Sequence, residues 1–154
     1  MNCSVAQSLE AIGEWWSMLI VRDAFLGVRR FDDFQSRLGI SRNILTTRLT
    51  SLVDAGVLQK VPYQERPVRH EYRLTEKGHD LWPILTAMRE WGDKWAAPAG
   101  APLEVVHDAC GEVMVVDHSC RTCGEQVDYR AVHARPGPGA RTNGTNRIAS
   151  VRPT

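Results

Sequence analysis

Residues 31–56 read FDDFQSRLGISRNILTTRLTSLVDAG, and the reading of this stretch decides the fold. Its first part, 31–38, has the length and spacing of a short helix. Gly39 closes it, as a residue that enters the left-handed conformation without a Cβ penalty. Ser41 then stands where an N-cap belongs, because its hydroxyl can accept a backbone N–H that the first helical turn leaves without a partner. Ile44, Leu45, Leu49, Leu52 and Val53 recur at helical spacing as far as Gly56. That pattern predicts a second, longer helix with one apolar side. A short helix, a tight turn and a capped longer helix make the helix-turn-helix pattern.

The flanks extend this reading. Upstream, Val5, Leu9, Ile12 and Trp16 share one helical side, and Gly13 interrupts them. A second helix is expected over 15–26, with Trp16, Leu19, Ile20, Ala24 and Phe25 aligned and Gly27 as its stop. Downstream, 57–63 and 69–74 read as short extended segments, and Pro67 between them suits a turn. Thr75 begins a long helix with Leu81, Ile84, Leu85, Met88, Trp91 and Trp95 on one side, and Pro83 inside it predicts a kink or a break. The expected fold class is mainly α with a small β-wing, a winged helix-turn-helix spanning 3–96. A small β-rich, zinc-ribbon-like extension is expected over 103–133, beyond the linker composition of 96–102. Residues 134–154 have the composition of a disordered or loosely ordered tail. No internal repeat is evident.

The totals exclude several classes. Of 154 residues, 43% are hydrophobic and 24% charged, enough for a core and too many charges for a membrane protein. No apolar run approaches the ~20 residues that span a bilayer. The opening residues lack a basic segment followed by an apolar one, so a cytoplasmic location is expected. Without an export signal, Cys3, Cys110, Cys120 and Cys123 point to metal or redox chemistry rather than a disulfide framework. No nucleophile–base pairing and no phosphate-cradling glycine loop stands out, so an enzyme is not expected.

The chain's net charge is +1, but residues 37–73 carry seven basic and three acidic side chains, a local +4. With Leu45, Leu49 and Leu52 inward, the longer helix leaves Arg42, Asn43, Thr46, Thr47 and Thr50 outward and Arg48 near the boundary. No acidic residue lies between Gly39 and Val53. Arg pairs with guanine, Asn with adenine, and Thr meets a thymine methyl or a phosphate. The helix amino end at Ser41 adds a favourable dipole for phosphate. Double-stranded DNA is the partner these features fit, with Ser41, Arg42, Asn43, Thr46, Thr47 and Arg48 at the major groove and Arg66 and Arg69 holding the wing to the backbone.

His107-x-x-Cys110-Gly111 and Cys120-x-x-Cys123-Gly124 are the sharpest chemical signal. Zinc takes four tetrahedral N/S donors, and a two-residue gap sets two donors on one tight turn. A structural zinc held by His107, Cys110, Cys120 and Cys123 is expected. His118 or His133 can stand in for His107, and Cys120 with Cys123 can instead form a redox pair.

The run 12–23, IGEWWSMLIVRD, followed by Gly27, Arg30-Phe31, Phe34, Gly39-Ile40-Ser41, Leu45-Thr46 and Arg48-Leu49, resembles the HxlR family of bacterial winged helix-turn-helix transcription regulators. Gly56-Val57-Leu58, Arg69, Glu71-Tyr72, Leu74-Thr75-Glu76-Lys77-Gly78 and Trp91-Gly92 continue the likeness over about 3–96. One departure is Trp15, where that family usually carries Lys. The resemblance implies a MarR-like homodimer, paired through terminal helices, that represses or activates nearby genes. It also implies a sensing role for an N-terminal cysteine in some members, here Cys3. Trp15, Trp16, Trp82, Trp91 and Trp95 are candidates to wall a pocket for a small apolar effector. The alternative reading is a winged-helix protein-interaction module that uses the zinc-ribbon-like tail as its contact surface.

Overall fold

The computed structural model describes residues 3–135 and 137–139. Helices α1 (Ser4–Ile12) and α2 (Trp15–Phe25) are separated at Gly13, whose N–H donates to the Leu9 carbonyl at 2.8 Å and closes α1. Helix α3 (Phe31–Leu38) ends on Gly39, which takes φ +65° and donates its N–H to the Gln35 carbonyl at 2.9 Å. Helix α4 (Arg42–Asp54) begins on the expected cap: the Ser41 hydroxyl accepts the Ile44 N–H at 3.3 Å.

Leu45, Leu49 and Leu52 of α4 are fully buried. They pack with Ile20 and Val21 of α2, Phe34 of α3, and Ile12, Ile40, Val57, Leu58 and Tyr72. Each such side chain taken wholly out of water contributes about 1.5–3 kcal/mol. Buried Asp23 of α2 is the polar exception. Its Oδ1 accepts from Arg22 Nε at 3.0 Å and Nη2 at 2.8 Å, and Arg37 Nε of α3 lies 3.4 Å from Oδ2 without making a hydrogen bond. Both guanidinium groups reach solvent, so the buried carboxylate is balanced by cations that keep much of their hydration.

The wing is an antiparallel pair, β1 (Leu58–Glu65) and β2 (Val68–Leu74), with Leu58 opposite Leu74 and Glu65 opposite Val68. The strands run further than the apolar pattern indicated, because Gln64, Glu65 and Val68 pair as well. The turn shrinks to Arg66 and Pro67, joined by a cis peptide bond. A register shift between Pro62 and Gln64 marks a bulge at Tyr63. An isolated bridge from Arg30 to Glu71 adds a short third edge, and the Tyr72 N–H donates to the Arg29 carbonyl at 2.7 Å. Burial raises the Tyr72 phenol above its ordinary value, which keeps it neutral.

The helix expected from Thr75 onward is two helices. Short α5 (Glu76–His79) is capped by Thr75, and α6 (Trp82–Trp95) starts immediately before Pro83. Proline is tolerated in the first turn, where its missing N–H has no intrahelical partner, so the break comes before it rather than at it. Thr75 Oγ1 donates to the Gly56 carbonyl at 2.6 Å, the Thr75 N–H to Val57 at 3.1 Å, and Lys77 Nζ to Ala55 at 2.7 Å. At Gly78 a Cβ would collide with the Val57 carbonyl, so only glycine permits this approach.

The chain divides into two compact units, Cys3–Arg89 and a second from Glu90 onward. The division falls inside α6, ahead of the 96–102 linker. In the second unit, backbone pairing between residues 103 and 133 is limited to two isolated bridges, followed by the single 3-10 turn η1 (Tyr129–Ala131), rather than the β-rich arrangement expected. Of the tail expected over 134–154, residues 136 and 140–154 lie outside the described residues.

Leu49→Ala is expected to lower unfolding free energy by about 2–5 kcal/mol in a denaturant titration. Thr50→Ala, one position along on the exposed side, is expected to change it by less than ~0.5 kcal/mol. Equal costs at the two positions would show that α4 has no dry side.

Candidate nucleic-acid interface

The burial of three leucines turns the opposite side of α4 outward. Ser41, Arg42, Asn43, Thr46, Thr47, Thr50 and Ser51 are exposed. Thr47 Oγ1 donates back to the Asn43 carbonyl at 2.9 Å, and Ser51 Oγ to the Thr47 carbonyl at 3.0 Å. Those hydroxyls keep their lone pairs available as acceptors.

The two arginines of α4 differ. The Arg42 guanidinium lies 4.7 Å over the Phe31 ring and 3.4 Å from Asp32 Oδ1, with 68% of its side chain exposed. An exposed pair of this kind is worth at most about 1 kcal/mol, so α3 orients Arg42 without sequestering it. Arg48 is only 25% exposed, with Nη2 3.1 Å from Glu14 Oε2 and a buried, unpartnered Nε. It joins α4 to the start of α2, on the flank away from the exposed threonines.

Arg66 and Arg69 are exposed at the wing's end, and Gln64 Nε2 donates to the Arg66 carbonyl at 3.1 Å across the turn. Arg30 also belongs to this end of the molecule: its guanidinium covers the Tyr63 ring at 4.7 Å. Sequence reasoning missed it because one isolated bridge, with no alternating pattern around it, brings it to the wing.

A groove of about 600 Å³ opens on another side of the first unit, lined chiefly by Val5, Leu9, Trp15, Met18, Ile84 and Met88. Of the five tryptophans, Trp15 lines it. Trp16 is half-buried against the core, and Trp82 packs on Phe25 with ring centroids 5.1 Å apart. Trp91 and Trp95 are about two-thirds exposed. Cys3 is a half-buried free thiol at the N-cap of α1.

In the second unit, His107 Nδ1 lies 3.2 Å from Cys110 Sγ. Cys120 and Cys123 form a corresponding pair. The backbone N–H groups of Cys123 and Thr122, and then the Cys123 side chain, hold the Cys120 thiol below its ordinary value. Among the described residues no group of three or more metal-ligating side chains comes together, so the four donors stand as two pairs. His118 and His133 are exposed.

A family model described as HxlR-like helix-turn-helix matches residues 11–99. The chain belongs to the HxlR-like helix-turn-helix family. It is 45% identical over 137 residues to an uncharacterized HTH-type transcriptional regulator of Mycobacterium tuberculosis, covering 88% of this chain and 87% of that one. Among solved structures, the candidate transcription factor PA1607 is 40% identical with TM-score 0.80, covering 88% of this chain and 95% of that chain. The redox regulator HypR in its oxidized form is 33% identical with TM-score 0.55, covering 60% of this chain and 96% of that one. Family membership and these relatives make the chain a DNA-binding transcription regulator of the winged helix-turn-helix kind. They favour that reading over a protein-interaction module. Among the described residues no helix is long and apolar enough to cross a membrane.

Asp32→Ala removes an acidic competitor for Arg42. It is expected to raise affinity for duplex DNA by up to about five-fold, the equivalent of ~1 kcal/mol for an exposed pair. Fluorescence anisotropy with a labelled duplex measures this, and an affinity left unchanged by Arg42→Ala as well would remove Arg42 from the interface.

Proposed function

We propose that the protein is a cytoplasmic repressor that binds a pseudo-palindromic operator as a homodimer. One observation carries the reading: from Arg42 to Val53 α4 exposes a polar side without an acidic residue, with its amino end at the surface, while Arg66 and Arg69 stand exposed on the wing that follows it. In this arrangement Arg42, Asn43, Thr46 and Thr47 meet base edges in the major groove, with Ser41 at the phosphate beside the helix amino end. Arg66 and Arg69 neutralise flanking phosphates. Arg48 positions α4 through Glu14 and touches DNA only at the edge of the interface. No catalytic role is assigned.

One winged module reads few base pairs, so a two-fold partner supplies the second half-site. The groove between α1 and α6 suits that partner: Val5, Leu9 and Met88 on its walls are each more than half exposed. Trp91 and Trp95 add apolar surface further along α6. A small apolar effector entering beside Trp15, or oxidation of Cys3 at the head of α1, would act on DNA binding by shifting this helix pairing. HypR, a structural relative at 33% identity, is a redox regulator, which favours the thiol route as the second of these controls.

The test uses the full chain and duplexes from its own upstream region. Arg66→Ala and Arg69→Ala are each expected to weaken all sequences and to reduce the slope of log affinity against log salt by about 0.9 per lost phosphate contact. Asn43→Ala is expected to relax discrimination at one base pair by ~1–3 kcal/mol and leave the salt slope in place. Leu9→Glu is expected to give monomers by sedimentation and to lose tight operator binding. A wild-type chain that binds no upstream duplex, or variants of both classes that bind alike, would overturn the assignment.

A further inference from the structure

Residues 103–135 contain no buried side chain. Val105, Met114, Val116, Cys120 and Val127 are half-covered and the rest are exposed, so no hydrophobic core orders this part of the chain. Its backbone is nevertheless regular, and the regularity is a repeat. The His107 N–H donates to the Glu112 carbonyl at 2.9 Å and the Gly111 N–H to the His107 carbonyl at 2.8 Å. Thirteen residues on, the Cys120 N–H donates to the Glu125 carbonyl at 2.8 Å and the Gly124 N–H to the Cys120 carbonyl at 2.7 Å. Met114 to Val105 and Val127 to His118 are matching 2.7 Å bonds at the same offset. So are the bridges Val106–Val113 and Ser119–Gln126. Gly111 and Gly124 take φ +76° and +74°.

Each unit is therefore a hairpin whose tip sets a donor, two spacers, a second donor and a left-handed glycine. Two donors on one tetrahedral zinc, at about 2.0–2.1 Å for nitrogen and 2.3 Å for sulfur, lie roughly 3.5 Å apart. The 3.2 Å between His107 Nδ1 and Cys110 Sγ is close to that chelating separation. Left-handed glycine lets the backbone turn under the sulfur, where a side chain would be strained. The chemistry of the set, one imidazole and three thiols, is that of structural zinc.

We infer that the two thirteen-residue knuckles are the halves of one structural zinc site, closed within a single chain by His107, Cys110, Cys120 and Cys123. The four donors stand as two pairs; drawn onto one ion, His107 Nδ1 and three thiolates would fill all four tetrahedral positions, so the ion would hold the knuckles together with no open position for water or substrate. Residues 112–119 connect the halves, and the Val116 N–H in that connection donates to Glu90 on α6. Coordination supplies here the cohesion that buried leucines supply in the first unit. The inference is independent of the proposed repressor role.

Elemental analysis of the full-length chain, purified under reducing conditions with zinc present, is expected to find one zinc per chain. Cys110→Ser, Cys120→Ser, Cys123→Ser and His107→Ala are each expected to lose most of it, and His118→Ala and His133→Ala to retain it. Cobalt exchange is expected to give tetrahedral d–d bands with thiolate charge transfer. After chelation, proteolysis is expected to cut between 103 and 133 while the helical circular dichroism of residues 3–89 persists. That persistence separates loss of metal from general unfolding. A reduced wild-type chain that takes up no zinc, or a native Cys120–Cys123 disulfide found by mass, would overturn the inference. Retention by His107→Ala would also count against it. So would recovery of metal on mixing Cys110→Ser with Cys123→Ser chains, since that requires a site shared between chains.

Discussion

The dry seat of Leu45, Leu49 and Leu52 is the constraint on which the first unit depends. These side chains meet Ile20, Val21 and Phe34, and they fix the rotation of α4 about its own axis. A helix advances about 100° per residue, so a slip by one position would carry Thr46 or Thr50 inward and a leucine out. Burying an unpaired hydroxyl costs of the order of 1–3 kcal/mol by mutational data, and exposing a leucine costs a similar amount again. The polar side that faces outward is therefore set by burial on the opposite side. Arg48 marks the limit of this arrangement: it is mostly covered, and it stays tolerable because Glu14 lies 3.1 Å away.

The position of the wing relative to α4 rests on a second device. Ala55, Gly56 and Val57 leave carbonyls at the end of α4, and Lys77 and Thr75 take up all three. Because Thr75 follows directly on β2, the strand pair is tied at both of its roots to the helix whose exposed side it flanks. Leu58 and Tyr72 are buried near these roots, while residues 65–70 at the far end are exposed throughout. The base of the wing is thus fixed by core packing, and its tip by strand pairing with the Gln64–Arg66 hydrogen bond across the turn. Such a tip suits contact with phosphates, which asks for charge rather than for sub-ångström placement.

Helix α3, its closing glycine, the Ser41 cap and the extent of α4 were legible in the sequence, since each depends on neighbours a few positions away. Pro83 announced an interruption, and the structure shows why it is a clean break, with Thr75 capping one helix and Pro83 opening the next. The far wing was not legible. Gln64, Glu65 and Val68 pair through backbone groups on exposed strands, where no apolar alternation records the pairing. The partners of the two α4 arginines were also hidden: Asp32 and Glu14 meet them only through tertiary packing. The knuckle repeat escaped for a related reason. Beyond Cys110 and Cys123, Gly111 and Gly124, and Glu112 and Glu125, the two thirteen-residue units share almost no side chains, and what repeats is the path of the backbone.

That contrast bears on how the chain is stabilised. A core-built unit tolerates loss of one surface group, because many small contacts carry it. The segment 103–135 has no such reserve: its turns are held by hydrogen bonds open to water, each worth about 0.5–1.5 kcal/mol net, against a backbone ordering cost of about 1–2 kcal/mol per residue. Regular turns in so exposed a segment therefore require a cohesive contribution from outside its apolar content. The zinc inferred above for the imidazole and three thiols at the tips of the two matched hairpins would supply it, since structural zinc binding is worth about 10–16 kcal/mol. The first unit needs nothing of the kind and answers to whatever disturbs a leucine core, whereas the zinc site inferred above would make the extension answer to thiol oxidation and metal supply.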